Sequence, residues 1–122
     1  MKNILILILL LIYIFVGCKN SSSPNTDKKT LTPEIRVNEI YEYKTGISGD
    51  EEGVEITKQA NHFKISQIVR NADTNFEAVY KYMPETDFAG TDSVELKVST
   101  GSDGASAPTD IKIIKILMRV KQ

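Results

Sequence analysis

Two side chains in this sequence are the only ones of their kind. Cys18 is the sole thiol and His62 the sole imidazole. A thiolate is a nucleophile and a metal ligand, and an imidazole is the usual general base near neutral pH. Either chemistry needs partners, because a metal takes several converging ligands and a nucleophile needs a base and an orienting group. His62 follows the turn-forming run Gln59-Ala60-Asn61 at the start of an apolar-alternating stretch, with no second His or Cys, and reads as a surface histidine. No Ser/His/Asp spacing stands out, so no catalytic residue is expected and the chain does not read as an enzyme. The densest acids are Asp50-Glu51-Glu52 with Glu55, and Asp87, Asp92 and Asp103 add further loop carboxyls. Calcium takes about six to eight oxygens at one point. The spacing Asp-x-Asp-x-Asp-Gly is missing, so these acids read as solvated and no metal or cofactor is implied. Tyr41, Tyr43, Tyr80 and Tyr82 could form a sugar or peptide platform. Their period-two spacing among apolar residues points instead to the core.

What precedes Cys18 gives its thiol a different meaning. Lys2 supplies a positive start, Ile4–Val16 is an unbroken apolar run of thirteen that includes Tyr13, and Gly17 is a small residue just before the cysteine. That is the layout of a secretory signal. An uncleaved membrane helix would need about 20 apolar residues, whereas here polar residues follow at once. Phe15-Val16-Gly17-Cys18 resembles the lipobox of bacterial lipoproteins. The resemblance implies diacylglyceryl transfer to the Cys18 thiol, cleavage between Gly17 and Cys18, and a chain anchored to membrane lipid through Cys18. That covalent lipid is the one prosthetic group expected. The location implied is the bacterial cell envelope, with the membrane and its leaflet left open.

Removing residues 1–17 leaves 105 residues of the 122, enough for one domain and too few for two. With Cys18 lipidated no disulfide can form, so a core must hold the domain. Sixteen acids face fourteen bases once Lys2 is gone, for a net of −2 with signs interspersed. No basic face suggests nucleic acid. Residues 18–32 are polar and rich in Ser, Asn and Thr, and read as the lipidated cysteine and a flexible linker. Lys28-Lys29 is a weak basis for headgroup attraction, since lipid-binding clusters hold about 4–8 cations.

From Pro33 to the end the period is two. Ile35, Val37, Tyr41 and Tyr43 alternate with polar residues, and the slip at Glu39-Ile40 calls for a bulge or a strand switch. Val54 and Ile56 share a face. Phe63, Ile65 and Val69 line the next strand, then Phe76, Ala78, Tyr80 and Tyr82, then Val94, Leu96 and Val98. In Ile111–Val120 the apolar phase flips between Ile113 and Ile114, which predicts a bulge. Gly46–Gly53, Asn71–Asn75 and Thr100–Pro108 carry turn chemistry. No stretch supports an amphipathic helix. About seven short strands between turns predict an all-β sandwich over residues 33–122.

The stretch Val79–Val98 resembles the closing half of the bacterial cadherin-like, immunoglobulin-like repeats. Tyr82, Pro84, Phe88, Gly90, Thr91 and Asp92 fall on the repeat's pattern, and the turn Gly101–Gly104 and the strand from Ile111 follow as in the family. The resemblance spans about residues 76–120 and implies an immunoglobulin-like sandwich. Related repeats use loop acids for Ca²⁺, which the ligand spacing here does not supply. The motif also has a reading of its own. Pro84 ends a strand, Phe88 tucks a crossing loop onto the core rim, and Gly90 permits a tight bend. Asp92 accepts from loop amides, and Tyr80 or Tyr82 sends its hydroxyl to a loop carbonyl. These roles are structural. The expected function is a non-catalytic binding or structural module at the envelope, taking a protein or glycan ligand at the loops 46–53 and 100–108. The alternatives are an inhibitor or immunity-type lipoprotein that blocks an enzyme with a loop and, further off, a small envelope enzyme.

Overall fold

The computed structural model describes residues 23–122. The expected signal sequence, with Gly17 and Cys18 as its expected cleavage and lipidation residues, lies outside the described residues. The rest is all-β, in eight strands: β1 (Asn25–Leu31), β2 (Glu34–Arg36), β3 (Tyr41–Lys44), β4 (Gly53–Lys58), β5 (Phe63–Val69), β6 (Val79–Pro84), β7 (Gly90–Thr100) and β8 (Asp110–Lys121). They form two sheets. One runs β1-β8-β7-β4, with β2 also on β8, and the other runs β3-β6-β5. This is the strand order of an immunoglobulin-like sandwich, with β8-β7-β4 as G-F-C and β3-β6-β5 as B-E-D. The first strand lies parallel to G rather than beside B. Among the described residues no helix is long and apolar enough to cross a membrane.

The alternation of β7 and β8 builds the core. Val94, Leu96 and Val98 meet Ile114, Ile116, Met118 and Val120 on one inner face, and Ala78, Tyr80 and Tyr82 cover them from the other sheet. Tyr80 and Tyr82 are fully buried, and Tyr41 and Tyr43 are half-buried against the same cluster, so all four tyrosines pack inward. The slip at Glu39-Ile40 is a strand switch: β2 belongs to the first sheet and β3 to the second, with Asn38 in the left-handed region between them.

Four sequence expectations need correction. Asn25–Leu31, assigned to the linker 18–32, is the edge strand β1 and pairs with Asp110–Ile116. Its residues are exposed up to half-buried Leu31, so it holds by backbone ladder bonds rather than burial, and composition carries no sign of that. The β1 register continues through Thr32-Pro33 into β2, the proline having no N–H to add to the ladder. The bulge predicted at Ile113/Ile114 does not exist, because β7 and β8 pair without a slip from Gly90↔Val120 to Thr100↔Asp110. Ile111, Ile113 and Leu117 instead sit half-buried on the outer face, where Ile113 has Lys28 and Lys97 as ladder neighbours with long aliphatic stems. In β5 a register shift between Phe63 and Ile65 turns Ser66 and Ile68 inward, in place of Ile65 and Val69. Finally, β6 starts at Val79, and Phe76 is exposed in a loop.

Candidate functional site

Antiparallel strands send alternate connections to opposite ends, so the sandwich has two loop clusters. One end carries the β2–β3, β4–β5 and β6–β7 turns, and the other the β3–β4, β5–β6 and β7–β8 loops.

The first end is where the sequence motif lies. Asp92, 2% exposed at the start of β7, accepts the amides of Asn61 and His62 at 2.9 and 2.8 Å and that of Ser93 at 2.9 Å. The Tyr82 hydroxyl is 3.1 Å from the same carboxyl group and 3.0 Å from the His62 carbonyl, donating toward both. So Asp92 does accept loop amides, though two come from a turn some thirty residues upstream, and the tyrosine that reaches a loop carbonyl is Tyr82. Beside it Tyr80 and Ser66 share a hydrogen bond of 2.8 Å, and Ser66 donates to Gln59. Burial raises the Tyr80 hydroxyl to about 12 and raises that of Tyr82 also, with Asp92 nearby adding to both. Pro84 is buried at the end of β6, and Thr91 is exposed in β7 opposite Arg119. Gly90 has φ +145°, and a Cβ there would sit 3.4 Å from the Phe88 ring. Phe88 packs half-buried against the core and stacks on His62 at 4.3 Å between ring centres, with Glu85 3.5 Å from the imidazole. His62 is thus a surface side chain held between the Phe88 ring and the Glu85 carboxyl group.

The second end holds the two loops the sequence singled out for binding, 46–53 and 100–108, together with 70–78, which the sequence marks only as a turn. The β3–β4 loop is the middle piece. Thr45 donates its hydroxyl to the Ala78 carbonyl at 2.6 Å, Ala78 donates its amide to Ile47 at 2.7 Å, and the Gly46 amide reaches Glu77 at 2.8 Å. The Arg70 guanidinium ties both loops together, donating to the carbonyls of Phe76 and Gly49 at 2.8 Å each and of Glu52 at 3.3 Å. On the other side Gly104 comes so close to Glu51 that a Cβ would lie 2.9 Å from its carboxyl oxygen. The β7–β8 loop is held by Asp103, which accepts from the amides of Ala105 and Ser106 and from the Ser106 hydroxyl. Those bonds keep its carboxyl below the usual range.

Phe76 stands out on this surface. It is 60% exposed and has φ 60°, directly after Asn75 at φ 51°. Left-handed backbone is common for Asn but costs of order 1 kcal/mol or more for an aromatic residue. The surroundings enforce it. Asn71 and Thr74 form a reciprocal capping box around the 3₁₀ turn Ala72–Thr74, the Phe76 amide donates to the Asn71 carbonyl at 2.8 Å, and Arg70 holds the Phe76 carbonyl. The sequence reads Phe76 as the first inward residue of a strand. The Asn-Ala-Asp-Thr-Asn run before it carries the turn signal, and Asn75 just before the phenylalanine is the usual left-handed residue. A cleft of about 350 Å³ also opens between the sheets at this end, with Tyr43, Ile47, Val98, Ile114, Asp27 and Lys112 among its walls.

The loop acids do not gather into one set. Asp87 and Asp92 belong to the first end, Asp50–Glu52 and Asp103 to the second, and Glu55 pairs with Lys97 at 2.8 Å. Among the described residues no three His, Cys, Asp or Glu side chains are grouped to hold a metal ion.

No family model matches the chain, and no curated protein does. Among solved structures, the crystal structure of the cysteine protease inhibitor EhICP2 from Entamoeba histolytica is similar with a TM-score of 0.40 at 17% identity, covering 80% of this chain and 100% of that chain. The sandwich assignment rests on the strand order itself, and at that similarity the likeness says nothing of what this chain binds.

Proposed function

We propose that this chain is a bacterial envelope lipoprotein, tied to lipid through Cys18, whose immunoglobulin-like domain is a non-catalytic binding module. The partner engages the end formed by the β3–β4, β5–β6 and β7–β8 loops. The observation that carries this reading is the bracing of the β3–β4 and β5–β6 loops around Arg70, with the β7–β8 loop close beside them where Gly104 meets Glu51 and Phe76 held exposed at the cost of backbone strain. A surface that is ordered before contact loses little entropy on binding. The anchor half rests on the lipobox resemblance and on chain energetics. Each buried CH₂ contributes about 0.8 kcal/mol, so two or three long acyl chains hold a protein durably. The non-catalytic half is supported by the place of His62, at the opposite end and stacked on Phe88. A second reading, an inhibitor or immunity-type lipoprotein, uses the same end, and the fixed, protruding Phe76 favours it over a passive spacer.

Labelled palmitate tests the anchor. Label is expected in the mature protein and missing from Cys18→Ser, which should leave the membrane fraction. Crosslinking on intact cells, with and without replacement of residues 101–108 by a short turn, tests the module. Unchanged crosslinks after the replacement would reject the loop end as the binding surface.

A further inference from the structure

The direction of β1 decides which end of the sandwich lies near the lipid. β1 runs parallel to β8, so its first residue, Asn25, pairs with Asp110 beside the β7–β8 loop, and its amide donates to the Thr109 carbonyl at 2.9 Å. The chain therefore enters the domain at the Phe76 end. Six residues separate Cys18 from Asn25, seven chain steps with a reach of at most about 25 Å, whereas the twelve-residue β8 alone spans about 40 Å. A lipid on Cys18 keeps the Phe76 end close to the bilayer, and the Ile40–His62 end is the more distant one.

Charge then separates the occupants such a position allows. Asp50, Glu51, Glu52, Asp73, Glu77 and Asp103 lie on the three loops, with Arg70 the one base, its guanidinium already spent on three carbonyls. An anionic leaflet would repel that rim, so the bilayer is a poor seat for the Phe76 ring. A protein pocket with an apolar floor and a basic rim complements both features, the ring filling the pocket as an aromatic anchor and the acids steering approach. Resting on the lipid-anchored binding module argued above, we propose that Phe76 is the anchor of a docking surface for a protein resident in the same membrane that presents an apolar pocket edged by Lys or Arg.

The test uses the full-length protein in its own cells, with a photoreactive benzophenone amino acid at position 76 or, at the far end, at exposed position 40. Position 76 should give one discrete adduct with a membrane protein, and position 40 should not. The adduct should fall at least tenfold when Asp50, Glu51, Asp73 and Asp103 are changed to Lys. The adduct protein, identified by mass spectrometry and purified, should bind the parent, lose at least tenfold affinity to Phe76→Ala, and bind more weakly as salt is raised. Phe76→Gly, which relieves the backbone, should lose binding while melting no lower than the parent. Adducts with lipid alone, with a second copy of this chain, with periplasmic proteins only, or at both positions equally would overturn the proposal. So would a partner whose affinity ignores the charge reversals. Failure of the anchor reading shows separately, as no palmitate label and a Cys18→Ser protein that still fractionates with membrane.

Discussion

The two ends of this sandwich spend their polar groups in opposite ways. At the Asp92 end, a buried carboxyl group gathers three amides and a phenol, binding the β4–β5 turn to β7 and closing the core. At the Phe76 end, hydrogen bonds run from loop to loop and hold an exposed aromatic in a conformation it would not adopt alone. Buried polar networks that are fully satisfied stabilise a unique arrangement, whereas strain held by a rigid frame is a mark of a working surface. One fold therefore has a buried, satisfied network at one end and an exposed, strained aromatic at the other.

The sharpest way to break this contrast is Asp92→Ala. It strips acceptors from buried amides and should cost about 3 kcal/mol or more, lowering the melting midpoint by more than about 10 °C in a thermal unfolding experiment. A loss under about 1 kcal/mol would remove the distinction between the ends. Next in size is alkaline unfolding. Tyr80 titrates at about 12 in the fold and Tyr82 is also raised, chiefly by burial, against an ordinary value near 10. A raised folded value favours the neutral phenol. Its stabilisation is complete below about pH 10 and is lost as pH rises toward 12. Circular dichroism against pH should show unfolding in that window, coincident with tyrosinate absorbance. Tyr82→Phe keeps the ring but removes the hydroxyl from Asp92 and the His62 carbonyl, and should cost about 1 kcal/mol in denaturant melts. His62→Ala loses an exposed stack on Phe88 and should cost less, under about 1 kcal/mol, with binding unchanged. Phe76→Ala closes the series. It should shift stability by no more than about 0.5 kcal/mol in either direction while abolishing partner binding. A large stability loss there would make Phe76 a core residue in all but exposure.

Much of this could be read from the order of residues, since period-two alternation directly records which face of a strand is buried. Val94, Leu96 and Val98 point where their spacing says, and Asp92 and Tyr82 were singled out by the motif that contains them. Where alternation broke, the reading failed in characteristic ways. Ile113 looked like a phase error because it is apolar and faces outward, yet the ladder is unbroken and lysine stems lie beside it. Asn25–Leu31 looked like tether because an edge strand held by its backbone leaves no hydrophobic trace. Phe76 looked like core because an exposed aromatic and a buried one are the same letter.

Residue types and their spacing were sufficient for the all-β class, the core face of β7, the inward course of Tyr80 and Tyr82, the turn-rich loops and the expectation of a lipid on Cys18. These are local properties, carried by neighbours two residues apart or by a short motif. The parallel course of β1, the joining of two distant loops by Arg70, the reach of Asp92 to a turn thirty residues upstream and the exposure of Phe76 came from packing. Each depends on contacts between segments far apart in the chain, and no pattern along one strand encodes which strand will lie beside it.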